Sequence, residues 1–197
     1  MPKSFNSDER EYIVKNLKYE AKECLNLYGV KKTTVDEIVK RVKIPKGTFY
    51  LFYDSKELLL FEVINDMHDE IQNSFINDIE LIKEKIDSEK LTDILFNVYK
   101  KVESTCLLNI MTNGELELLM RKLPNEVVEK HLQADNKIME KLADLVPNIK
   151  NQKLLIYSGA MRGIFLSMLY KREIGKEIFD ESLKLMLRGL IIQLMGD

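Results

Sequence analysis

The chain has 197 residues, enough for one large domain or two small ones sharing a core, and 45% are apolar, so a substantial core can be buried. Two cysteines far apart, Cys24 and Cys106, both at mainly apolar positions of helical patterns, argue against a disulfide framework and for a reducing cytoplasm. The net charge of -2 hides an asymmetry: residues 1–53 hold 11 Lys/Arg and 7 Asp/Glu, and residues 54–197 hold 19 and 25, so a basic head precedes an acidic body.

Eight glycines and four prolines leave long runs without breakers, which predicts an all-α protein. The charged start "MPKSFNSDEREYI" has no apolar run and does not read as a signal peptide. The first helix follows, with Ser7 as the expected N-cap and Asp8, Glu9 and Glu11 at the positive end of its dipole. Ile13, Leu17, Ala21, Cys24, Leu25 and Tyr28 recur at spacings of three and four as one buried stripe, and Gly29 is a good C-terminal stop. The segment "TTVDEIVKRV" predicts a second helix, opened by a capping box of Thr33 with Asp36 or Thr34 with Glu37. After the turn "VKI", Pro45 marks a third helix, predicted over Lys46 to Phe52.

"YDSKELL" ends the third helix and starts a long fourth, capped by Asp54 or Ser55. Its stripe is Leu58, Leu59, Phe61, Ile64, Met67, Ile71, Phe75, Ile79 and Ile82. A fifth helix is expected over 91–104, a less regular stretch around "TNGELELLMRKLP", a helix from Pro124 to about 145, and a loop at "VPNIKNQ". Two last helices are expected over 152–170 and 176–195. The most apolar stretch, Leu183 to Met195, is interrupted by Lys184, Arg188 and Gln193 and falls short of a membrane span of about 20 apolar residues. Strand runs, repeats and low-complexity linkers are absent from the pattern, which gives about nine helices in all. The head is expected over 1–58, with its two-helix reader at about 34–53, and the body over 59–197.

Two short helices joined by a tight turn, behind a longer supporting helix, make a helix-turn-helix. The N-terminal end of the third helix carries Lys46, Gly47 and Thr48. Lysine reaches a phosphate or a guanine edge, threonine bonds a phosphate or packs on a thymine methyl, and glycine lets the backbone approach closely. Phe49 is expected to face the core of the head and the Tyr50 hydroxyl to reach a phosphate. Lys56 at the start of the fourth helix, and Thr34 at the start of the second, offer further phosphate contacts. Each has a plainer reading beside it: a solvated lysine, a cap, a core aromatic.

In the order Gly29, then "TTVDEIVKRVKIPKGTFYLFYDSKELL" from Thr33 to Leu59, the sequence resembles the TetR family of bacterial transcription regulators. The resemblance implies an all-helical homodimer with one DNA-reading head per subunit, bound to a palindromic operator and released by a small-molecule inducer in the body. The sequence departs from the usual pattern at Lys43, where glycine is common in the turn, at Pro45, where serine is common, and at Tyr53, where phenylalanine is common.

In the body, the apolar last two helices, with Ser158, Gly159, Ala160 and Gly163 allowing close approach, fit a four-helix bundle between two subunits. Phe96, Tyr99, Met111, Tyr157, Met161 and Phe165 are candidate ligand-binding residues, because methionine-rich aromatic surroundings suit adaptable binding of apolar molecules. Arg162 is a candidate partner for an acidic ligand, and a packed core with an internal ion pair accounts for the same residues. An enzyme is not expected: the only histidines, His68 and His131, lie far apart in sequence, no metal or cofactor motif occurs, and no nucleophile or phosphate-loop signature stands out. The rival to a DNA reader is a helical module whose basic head meets another acidic partner.

Overall fold

The computed structural model of the chain describes residues 5–82, 85–146 and 154–196. Its elements are α1 (Ser7–Lys32), α2 (Val35–Val42), α3 (Lys46–Phe49), α4 (Lys56–Ile82), α5 (Ser88–Glu103), α6 (Cys106–Thr112), α7 (Glu115–Met120), α8 (Asn125–Leu145), α9 (Leu154–Leu166), a 3-10 turn (Ser167–Tyr170), α10 (Lys171–Ile174) and α11 (Phe179–Met195). The all-α expectation holds among the described residues. The helix count exceeds the expected nine because the irregular stretch after α5 folds as the short pair α6 and α7. The segment between α9 and α11 adds α10. Of the loop expected at 146–152, all but Val146 lies outside the described residues.

The chain divides into two compact units, Met1–Met67 with Asn109–Pro124, and His68–Leu108 with Asn125–Asp197. In the first, α1 starts on Asn6 rather than Ser7. The Asn6 side chain accepts the Glu9 N–H at 2.8 Å, and the Glu9 carboxylate accepts the Asn6 N–H at 3.0 Å, a reciprocal capping box. The α1 stripe buries Ile13, Leu17, Ala21, Cys24 and Leu25 as its spacing requires, whereas Tyr28 stays exposed and Val30 is buried in its stead. The switch comes from Gly29, whose φ of 70° breaks the helical phase before one last turn. Phe49, Leu59, Leu60 and Phe61 complete the apolar centre of this unit. On its surface Lys18 pairs with Glu62 at 2.9 Å and Asp66 at 2.5 Å. Burial alone would depress the Lys18 ammonium, yet these two carboxylates hold it above its ordinary range.

The second unit is a helical body around Phe75, Ile79, Leu91, Leu95, Tyr99, Leu142, Phe179, Leu183, Leu187 and Ile191. These residues come from α4, α5, α8 and α11 at helical spacings. Asp87 caps α5 by accepting the Lys90 N–H at 2.8 Å, so that helix begins before the expected Leu91. A ring of four charges ties α5 to α10 and α11. Lys100 meets Glu103 and also Asp180 at 3.0 Å; Lys171 meets Glu103 at 2.5 Å and Asp180 at 3.3 Å. The two lysines hold the Glu103 and Asp180 carboxyls below the usual carboxylate range.

Candidate nucleic-acid interface

The candidate site is built by two short helices and the turn between them. In α2, Thr34 has extended backbone geometry and its hydroxyl accepts the Glu37 N–H at 3.2 Å, satisfying one of the free donors at the helix start. Asp36 and Glu37 lie in the first turn, Lys40 and Arg41 in the last, each complementing the helix dipole. Ile38 and Val39 are buried and fix α2 on the head. The Arg41 guanidinium donates to Glu37 at 2.7 Å and to the Tyr28 hydroxyl at 3.2 Å, tying the outer side of α2 back to α1.

The turn runs through Lys43, which has φ 62° and ψ 44°, the sole positive-φ residue other than glycine among the described residues. Its N–H and that of Ile44 both donate to the Val39 carbonyl, which ends α2. Pro45 then stands as N-cap of α3, where its missing N–H costs no hydrogen bond. The Thr48 N–H donates to the Pro45 carbonyl at 2.8 Å.

The third helix is a single turn, shorter than the expected 46–52 because the chain tightens after Phe49. Phe52 and Tyr53 both donate their N–H to the Phe49 carbonyl at 3.0 Å. Phe49 is fully buried, as expected, with its ring edge-on to Tyr50 at 5.2 Å and 6.0 Å from Tyr53. Burial and the Glu62 carboxylate push the Tyr53 phenol well above its ordinary range. With Phe49 as anchor, Lys46, Gly47 and Tyr50 are exposed and Thr48 is half-buried. A Cβ built on Gly47 would meet nothing within 4 Å, so no atom of this chain requires a glycine there.

Lys46 is not a bare cation. Its ammonium donates to Asp36 at 2.9 Å, and that carboxylate raises its pKa. Asp36 was invisible as a site residue in the sequence. Ten positions separate it from Lys46, and the two meet because the left-handed turn folds the start of α3 back toward the start of α2. Lys56 is also engaged: its ammonium donates to the backbone carbonyls of Thr33 at 2.8 Å and Val30 at 3.2 Å, so it closes the end of α1.

In the body, Tyr99 donates its buried hydroxyl to the Met161 carbonyl at 3.2 Å and packs its ring against Phe165 at 5.5 Å. Burial pushes that phenol well above its ordinary range. Phe96, Tyr157, Met161 and Phe165 are half-buried against the same core. The Tyr157 hydroxyl donates to the Gln193 carbonyl at 3.0 Å, and Lys184 lies 4.7 Å from the centre of the Phe96 ring. Arg162 is exposed and donates to the buried Ser158 hydroxyl at 2.9 Å. Met111 belongs to the first unit, apart in the chain's division from the other six candidates. His68 and His131, distant in sequence, have ring centres 5.2 Å apart, but among the described residues no group of three or more His, Cys, Asp or Glu is placed to hold a metal. No helix among the described residues is long and apolar enough to cross a membrane.

Residues 20–63 match the family model described as bacterial regulatory proteins, tetR family. Over 62 residues, 32% of this chain, the sequence is 40% identical to the HTH-type transcriptional regulator YuxN of Bacillus subtilis, itself uncharacterised. The matched stretch spans 20% of that protein's length. The fold is similar to a TetR/AcrR-family regulator from Thermobifida fusca, with TM-score 0.60, 20% identity and coverage of 94% of this chain and 97% of that one. It is also similar to Thermus thermophilus FadR, a TetR-family repressor solved with lauroyl-CoA, with TM-score 0.61, 19% identity and coverage of 90% and 93%.

Proposed function

We propose that the chain, whose residues 20–63 match the tetR family model and whose fold is similar to that of TetR-family regulators, is a dimeric DNA-binding repressor released from a palindromic operator by a small molecule. The observation that carries this reading is α3. It is a single turn anchored by one buried ring, Phe49, with Lys46, Gly47 and Tyr50 all turned to solvent. A helix of one turn contributes little to stability, and its exposed side suits the major groove. Lys46 reaches a phosphate or guanine by leaving Asp36, Thr48 meets a phosphate or a thymine methyl, and Tyr50 meets a phosphate. The open space above Gly47 lets a DNA backbone come close. Thr34 and Lys56 hold the start of α2 and the end of α1, and each keeps a spare donor for a phosphate: the Thr34 hydroxyl proton and the third Lys56 N–H.

The dimer reading rests on α9 and α11. Leu155, Ile156, Leu166 and Leu185 are 71%, 68%, 47% and 73% exposed, far more apolar surface than two isolated helix faces need. Built Cβ atoms on Gly159, Gly163 and Gly189 meet nothing within 4 Å, so these glycines leave room for a second subunit. The ligand reading rests on Phe96, Tyr157, Met161 and Phe165, half-buried against the core that holds Tyr99, since methionine and aromatic side chains suit adaptable binding of apolar molecules. The complex of Thermus thermophilus FadR with lauroyl-CoA shows that this fold accommodates a small molecule in that protein. The site lies in the cytoplasm, where DNA is.

The test is a duplex-binding titration with the full chain, DNA from upstream of its own gene, increasing salt and unrelated competitor DNA. Competitor-resistant, salt-sensitive binding that Lys46→Ala and Tyr50→Phe both weaken, with the dimer intact, is the expected result. Equal binding of both variants removes α3 from the interface. Capture of acidic polymers without preference for duplex DNA favours the protein-binding alternative.

A further inference from the structure

The residues "TNGEL", 112–116, connect α6 to α7. They place Gly114 in the left-handed region, φ 65°, and thereby start α7 with Glu115 pointing inward, 8% exposed. The Glu115 carboxylate accepts the Val30 N–H at 2.6 Å, across 85 residues of sequence. Val30 follows Gly29, and the bond occupies a donor that the break in α1 leaves free. The fit is close: a Cβ on Gly29 would lie 2.5 Å from Glu115 Oε2.

The same short segment is held from its other side. Lys56 takes the Val30 and Thr33 carbonyls, and the buried Thr33 hydroxyl donates to the Gly29 carbonyl at 2.6 Å. The Val30 residue therefore has an anion at its N–H and a cation at its carbonyl, in two successive peptide groups. Thr34, the N-cap of α2, comes immediately after. The direction in which the chain leaves Gly29–Thr33 sets the direction in which α2, and with it α3, begins.

We propose that Glu115 is a positioning residue for DNA reading: α7, through the Val30 N–H, holds the start of α2 in the orientation that presents α3. This rests on the DNA-binding reading above and assigns it a residue 66 positions beyond Phe49, with no DNA contact of its own. The sign of the effect separates positioning from charge. Glu115→Ala removes a negative charge from a protein that binds a polyanion, so electrostatics alone tightens DNA binding. Loss of position weakens it.

The experiment uses the full chain as wild type, Glu115→Gln and Glu115→Ala, on a duplex chosen by random-site selection with the wild type, and on unrelated duplex. Glu115→Ala is expected to bind the selected site about tenfold weaker or more, the effect of an unmet buried donor. It binds unrelated DNA as well as wild type or better. Glu115→Gln has the charge of the alanine variant but keeps an oxygen for the Val30 N–H, and restores most of the selected-site affinity. Faster hydrogen exchange of the Val30 amide in Glu115→Ala, reversed in Glu115→Gln, locates the cause. Undiminished selected-site binding by Glu115→Ala overturns the proposal, as does equal loss in both variants. Parallel loss on selected and unrelated DNA with reduced helicity also overturns it, because that is unfolding. A wild type that selects no site removes the DNA-binding reading itself, a different and recognisable failure.

Discussion

Lys43→Gly tests the turn between the two reading helices. Lys43 sits at φ 62° and ψ 44°, where a Cβ crowds the following carbonyl, at a cost of about 1–2 kcal/mol. Glycine removes that cost and returns about 0.5–1 kcal/mol through its greater freedom in the unfolded chain. The net gain is about 0.5–1 kcal/mol. For a chain of 197 residues, unfolding entropy of about 0.4 kcal/mol/K converts this into a rise in Tm of about 1–3 °C, and into more if the head unfolds as its own unit. The assay is thermal unfolding by circular dichroism at fixed protein concentration, with Lys43→Ala as control. Alanine keeps the Cβ and removes the charge, so it gains nothing. A Lys43→Gly protein no more stable than wild type refutes the reasoning. An equal gain from Lys43→Ala refutes it too, since the lysine charge would then be the cause.

Gly29→Ala places a methyl on the Glu115 carboxylate at φ 70°, and is expected to lower Tm and weaken selected-site binding together; normal values of both would show that the segment adapts. Lys46→Ala reduces the slope of log affinity against log salt by about 0.9, whereas Asp36→Ala, which frees Lys46, strengthens binding to unrelated duplex; titrations at three salt concentrations read both. Leu185→Glu places a charge on the exposed apolar face of α11 and is expected to raise the dimer dissociation constant about a hundredfold or more, the effect of an unpaired charge in an interface; light scattering after size exclusion measures it, and an unchanged dimer moves the interface elsewhere. Asp180→Asn breaks the ring on Lys100 and Lys171. Because the folded Asp180 carboxyl titrates below its ordinary range, its contribution is present above about pH 4 and disappears as pH falls below that. The Tm difference from wild type should therefore be largest near pH 7 and shrink toward pH 3; a difference independent of pH would assign the loss to packing.

The head was legible because each signal in it is local. Thr34 caps α2, Pro45 opens α3, and Phe49 turns inward, all decided by neighbours within four residues. At Lys43 the sequence showed a departure from the usual glycine but not whether the turn would keep a left-handed residue there; the structure keeps it, with φ 62°. What was not legible depends on pairs distant in sequence. Asp36 meets Lys46 only after the turn closes, Lys56 is drawn from solvent to the carbonyls of Val30 and Thr33, and Glu115 reaches Val30 across the chain. No periodicity carries such information. Gly29 offered half of a clue: read as a helix stop, it is the point where α1 breaks and frees the donor that Glu115 takes. In the body, the stretch Leu183 to Met195 stood out as apolar without showing which of its faces is buried: Leu183, Leu187 and Ile191 join the core, whereas Leu185 is exposed. Spacing could not tell ligand-lining aromatics from core ones, because Tyr99 and Phe165 satisfy both patterns.

The central claim is that α3 reads DNA as one half of a two-fold pair. Random-site selection with the full chain, followed by footprinting of the enriched duplex, tests it most directly. The account predicts enrichment of a two-fold symmetric sequence, a footprint with the same symmetry, and loss of both with Lys46→Ala. Enrichment of no sequence, or of one that Lys46→Ala binds as tightly as wild type, would contradict it.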